Sequence, residues 1–111
     1  MSKAWAVTPT KVRAAIDRVV QIAHPQRVIL FGSAARRKRA PNDVDLLIVS
    51  RRDVKSPRRE SVRIRRALRG ITMPIDILVI SKHHLHELAQ QPGLVYREAL
   101  REGKVVYDAA T

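Results

Sequence analysis

Helical and strand periodicities alternate along this sequence, which predicts an α+β (mixed α/β) domain: a small mixed sheet flanked by helices. Three observations carry the prediction. The runs "RVILF", "DVDLLIVS" and "PIDILVI" have strand length and a β-branched composition. Longer segments around them repeat their apolar residues at helical spacing. Proline, glycine and serine fall at the joints between the two kinds of segment. The chain of 111 residues fits one domain, 1–111, and its 45% apolar content is ordinary for a folded core.

Thr8-Pro9 opens the first helix, as an N-cap hydroxyl followed by proline at the first helical position. Val12, Ile16, Val19, Val20 and Ala23 form its apolar stripe, and Pro25 stops it. "RVILF" is the first strand, broken by Gly32-Ser33. "AARRKR" then reads as a brief helix and "APN" as a turn. In the second strand, "DVDLLIVS", period two puts Val44, Leu46 and Ile48 on one face. Asp43, Asp45, Leu47 and Val49 take the other. "RRDVK" is a loop, and Ser56-Pro57 opens a helix with the stripe Ile64, Ala67, Leu68 and Ile71, ended by Gly70. "PIDILVI" is the third strand, with Asp76, Leu78 and Ile80 on one face. Ser81 caps a short helix through Ala89, Pro92-Gly93 makes a turn, "LVYREALRE" is a last helix closed by Gly103, and "VVY" adds an edge strand. The expected order is αβαβαβααβ.

The net charge is +12, from 22 Lys and Arg against 10 Asp and Glu. Such a balance suggests a polyanionic partner: nucleic acid, nucleotide phosphates or an acidic protein surface. Non-specific nucleic-acid binding follows from charge alone. The few aromatic residues (Trp5, Phe31, Tyr96, Tyr107) make a poor base-stacking platform. There is no cysteine, so disulfides and thiolate metal sites are excluded and a reducing cytoplasm is the expected setting. No apolar run is long enough for a signal peptide or a membrane span.

Most carboxylates fall on helices or loops, where solvent accounts for them. Asp43, Asp45 and Asp76 instead sit in predicted strands beside apolar residues, where aspartate is disfavoured. Asp43 and Asp45 share a strand face, and Asp76 on a neighbouring strand can join them. Three close carboxylates repel unless something positive lies among them. That is either arginine, as structural ion pairs, or a hard divalent cation such as magnesium. Two such ions are the arrangement used for in-line nucleotidyl displacement. Gly32 follows a strand, where backbone can approach an anion closely, and Ser33 adds a hydroxyl donor; an ordinary N-cap is the plain alternative. The Walker A spacing is absent. His83, His84 and His86 cluster with Glu87, but no further ligand is evident, and an exposed polar helix is the simpler reading.

Together, "LFGSAAR", the Asp-x-Asp opening the next strand and "PIDILVI" about thirty residues on resemble the minimal nucleotidyltransferase (MNT) family of the polymerase-β-like superfamily. The resemblance runs over nearly the whole chain, including "PQRVILFGS" and "YREALREGKVVYD". It implies a polymerase-β-like nucleotidyltransferase fold. Gly32 and Ser33 would hold triphosphate oxygens, and Arg36 would occupy the family's arginine position. Asp43 and Asp45 would bind two catalytic Mg2+ ions, and Asp76 would hold the ion that activates the acceptor hydroxyl. That hydroxyl would attack the α-phosphate of ATP. Two departures fall in the loop at 36–42: Arg37 replaces the usual glycine, and nine residues separate Gly32-Ser33 from Asp43, one fewer than is common in the family, with the serine that usually precedes the first aspartate missing.

The sequence looks like MNT antitoxins, which pair with a helical HEPN ribonuclease toxin and silence it by transferring AMP to it. The implied partners are therefore a nucleoside triphosphate and a HEPN-type protein. A homo-oligomer is a further arrangement, and a catalytically inactive module that holds a protein or RNA is the alternative function. "RRKR" beside the phosphate turn and the arginines of "RRESVRIRRALR" suit an anionic ligand or a solvated face.

Overall fold

A computed structural model describes residues 3–32, 43–91 and 95–110. After a short 3-10 turn at Lys3–Trp5 come α1 (Pro9–Ala23), β1 (Arg27–Phe31), β2 (Val44–Ser50), α2 (Pro57–Ala67), β3 (Ile75–Ser81), α3 (Lys82–Leu88), α4 (Val95–Glu102) and β4 (Lys104–Asp108). The expected helix at "AARRKR" and the turns at "APN" and Pro92-Gly93 lie outside the described residues.

Local chemistry sets the helix ends. Thr8 accepts from the Lys11 amide at 3.2 Å and Pro9 follows it, so α1 begins where a donor would otherwise be orphaned. It ends on His24 in the left-handed region (φ 46°), just ahead of Pro25. Ser56 and Ser81 cap α2 and α3 through the Arg59 and His84 amides. α2 stops at Ala67, three residues before the glycine expected to end it. Gly70 instead takes φ +96° in the turn that follows.

The four strands lie in the order β3-β2-β1-β4. β1 pairs antiparallel with β2 and with β4, and β2 pairs parallel with β3 across the α2 crossover. The sheet is therefore mixed and sandwiched between helices. On one face Val28, Leu30, Val44, Leu46, Ile48, Ile77 and Val79 pack against Ala15 and Val19 of α1 and Ile64 of α2. On the other, Ile29, Leu47, Val49 and Ile80 pack against Leu85 of α3 and Ala99 of α4. The two-residue alternation of β2 holds along the strand, each buried Val, Leu or Ile stabilising by about 1.5–3 kcal/mol. Gly103 closes α4 by donating to Ala99 at 2.9 Å; a β-carbon there would overlap the Ala99 carbonyl and Ile29.

Two basic side chains tie the helical layer together. Lys11 Nζ donates to the carbonyls of Ala4 (2.8 Å), Ala6 (2.9 Å) and Thr72 (2.8 Å), fixing the N-terminal segment to the loop before β3. Arg18 donates to Arg69 O at 2.7 Å and covers carbonyls left over where α2 ends.

Candidate active site

The sheet register brings three carboxylates to one place. Phe31 lies opposite Asp45 in the β1–β2 ladder, and Asp45 lies opposite Asp76 in the β2–β3 ladder. Adjacent strands are about 4.8 Å apart, so Asp45 and Asp76 stand side by side on the face that also carries Leu47, Leu78 and Ile80. Asp43 directly precedes β2 rather than lying inside it. Each of the three offers a carboxylate oxygen within 4.8 Å of the others. Asp43 and Asp45 are half-buried, while the Asp76 side chain is 64% exposed at the edge strand.

Gly32 completes the described part of the site. It has φ +74°, a conformation that L side chains rarely adopt. A β-carbon at this position would overlap Asp45 Oδ2. The end of β1 and the Asp45 carboxylate can approach only because residue 32 has no side chain. Ser33 and Arg36, the other expected phosphate ligands, lie outside the described residues, as does Arg37.

Electrostatics mark Asp45 as the strained member. Burial pushes its carboxyl above the ordinary value of 3.8, and the charges of Asp43 and Asp76 and a hydrogen bond to Asp76 add to the rise. The acids thus sit closer than their own repulsion favours. The donor set is all hard oxygen, which fits Mg2+. A cation among them would offset the repulsion between the carboxylates.

One neighbour was not legible from the sequence. Arg65 Nη2 lies 3.6 Å from Asp76 Oδ1. A crossover helix runs back antiparallel to its strands, so the last turn of α2 overlies the start of β3. From there the long Arg65 side chain reaches round the free edge to Asp76. The alternative of arginine neutralisation is thus realised at Asp76, by a pair that is half exposed on both sides and correspondingly weak. Among the histidines, His83 pairs with Glu87 at 3.1 Å, and among the described residues only the Asp43, Asp45 and Asp76 group can gather three metal-ligating side chains.

The family described as "Polymerase beta, Nucleotidyltransferase" matches residues 15–111. The chain belongs to the polymerase-β nucleotidyltransferase family. The match spans both strands that carry the aspartates and the Gly32 turn. Among curated proteins, none matches the chain. Membership makes this a nucleotidyltransferase domain with a nucleotide substrate, and the mixed sheet with helices on both faces accords with that fold. Among the described residues, no helix of this nucleotidyltransferase is long and apolar enough to cross a membrane.

Proposed function

We propose that this nucleotidyltransferase transfers AMP from ATP to a hydroxyl of a partner protein in a Mg2+-dependent reaction, as the antitoxin of a HEPN-type ribonuclease toxin. The observation that carries the chemical half is the convergence of Asp43, Asp45 and Asp76 beside the Gly32 turn. The antitoxin half is supported by the resemblance of "LFGSAAR", Asp-x-Asp and "PIDILVI" to MNT proteins.

Asp43 and Asp45 are the residues to hold two Mg2+ ions, with Asp76 completing one ion's set. Bound there, the ions supply charge neutralisation for the triphosphate and for the attacking and leaving oxygens. The chain's own groups do the rest. The Gly32 backbone, the Ser33 hydroxyl and Arg36 grip the triphosphate, which orients its α-phosphorus. Asp76 accepts the proton of the acceptor hydroxyl, and its exposure lets that proton pass on to water. The acceptor oxygen forms its bond to the α-phosphorus as the bond to the β-phosphate oxygen breaks. Pyrophosphate leaves.

Arg37 and the shortened loop before Asp43 favour a second reading, a non-catalytic module that keeps the fold and holds its partner. Incubation with α-labelled ATP, Mg2+ and the product of an adjacent gene separates the two. Label transfer that disappears with Asp76→Ala is the expected result. A tight complex without transfer identifies the module.

A further inference from the structure

A groove of about 740 Å3 opens at the far end of the sheet from the carboxylates. Its apolar floor is Val49 of β2, Leu85 and Ala89 along α3, and Leu100 of α4, which is 40% exposed. Its rim is basic: Arg27, Arg51, Lys82 and His86 line it, and no Asp or Glu is among its described lining residues. Arg27 is engaged by Asp108 at 3.5 Å. No ion pair among the described residues involves Arg51, Lys82 or His86.

We propose that this groove docks an acidic amphipathic segment of the partner protein, with apolar side chains on the floor and carboxylates toward Arg51 and Lys82. The assignment deepens the partner-protein reading above and rests on it. Charge complementarity selects the occupant. A second copy of this chain carries +12 and is repelled by the rim. Single-stranded nucleic acid favours large aromatic platforms, and the described lining holds no Phe, Tyr or Trp. Two leucines, a valine and an alanine suit the apolar stripe of a helix laid into a groove. The location is also productive. Asp45, Leu47 and Val49 share one sheet face, and four residues of strand span about 13 Å. A partner anchored over Val49 therefore presents its neighbouring surface toward the carboxylates.

The test uses the full chain and a fluorescein-labelled synthetic helix with leucines at i, i+3, i+4 and i+7 and glutamates elsewhere. Anisotropy is read at about 0.1 M salt, where the screening length is about 10 Å. Binding that weakens about tenfold or more in Arg51→Glu with Lys82→Glu, or in Leu100→Lys, is expected, since each tenfold is about 1.4 kcal/mol. Arg58→Glu with Arg66→Glu on α2 should leave it within about twofold; circular dichroism checks that each variant folds. The proposal is overturned if the α2 pair matters as much as the groove pair, or if a glutamate-serine peptide without leucines binds equally well. It is also overturned if an RNA oligonucleotide, rather than the peptide, depends on the groove residues. Mg2+–ATP affinity measured on the same variants keeps the two claims apart. A wild-type chain that binds Mg2+–ATP but not the leucine-bearing peptide overturns the groove alone. Intact groove binding in a chain that never transfers label removes the transfer reading alone.

Discussion

Asp45 stands between two other carboxylates, and the cost of that position has a pH signature. In an unfolded chain its carboxyl has the ordinary value of 3.8, and folding raises it. The folded chain then holds the proton more tightly. The stability this contributes is complete below 3.8 and disappears as pH rises through the raised value. Metal-free wild type should therefore lose stability between about pH 4 and neutrality relative to Asp45→Asn, which has no charge to suppress. At neutral pH in EDTA the variant should melt on the order of a few °C higher. Parallel melting curves across that range would refute the electrostatic account. Gly32 makes the companion case. Gly32→Ala forces a side chain into φ +74° and into Asp45, so it should cost about 1–2 kcal/mol for the backbone alone, and more for the overlap. Urea denaturation measures the loss, and an unchanged midpoint would show that the turn relaxes. The sequence marked Asp45, because an aspartate in a strand breaks a local rule; Gly32 at a strand end is ordinary by itself and stood out only beside the Asp-x-Asp that follows.

At the scale of the elements, β2 was legible in detail and the surroundings of β3 were not. Val44, Leu46 and Ile48 alternate with Asp45, Leu47 and Val49, and a strict period of two leaves a single way to face the core. The Arg65–Asp76 pair depends on how far a helix travels over an edge strand, and no local pattern encodes that distance. The end of α2 is a similar case. Gly70 was the obvious stop signal, but the helix yields at Ala67, where Arg18 of α1 supplies a donor to the following turn. Lys11 is the clearest tertiary clamp, joining the carbonyls of Ala4 and Ala6 to that of Thr72, sixty-one residues beyond Lys11 itself. Lys11→Met should lower stability by about 1.5–3 kcal/mol, the range for hydrogen bonds made by a charged group. Hydrogen exchange should accelerate around Ala6 and Thr72 while the β2 amides stay protected; uniform acceleration would mean that Lys11 supports the whole fold rather than this junction.

Over the whole molecule, charge and chemistry separate. A net charge of +12 spread over loops and the arginine face of α2 draws polyanions without reading them. Binding of a mixed-sequence RNA should weaken more than about tenfold between about 50 and 200 mM salt. Arg58→Glu with Arg66→Glu should flatten that dependence; a salt-independent affinity would point to a specific nucleic-acid site. The three carboxylates interrupt this positive surface at one end of the sheet. Their assembly needs the mixed topology, because the parallel β2–β3 pair sets Asp45 against Asp76 and the antiparallel β1 delivers Gly32 to the same end. Sequence alone named the members, but only the register shows that they meet. The central claim is that this meeting point takes a divalent cation together with a nucleoside triphosphate. Isothermal titration calorimetry of ATP with Mg2+, on wild type and on Asp43→Ala with Asp45→Ala, tests it most directly. The account predicts Mg2+-dependent binding in wild type and a loss of at least about tenfold in the double variant; equal affinity in the two proteins would contradict it.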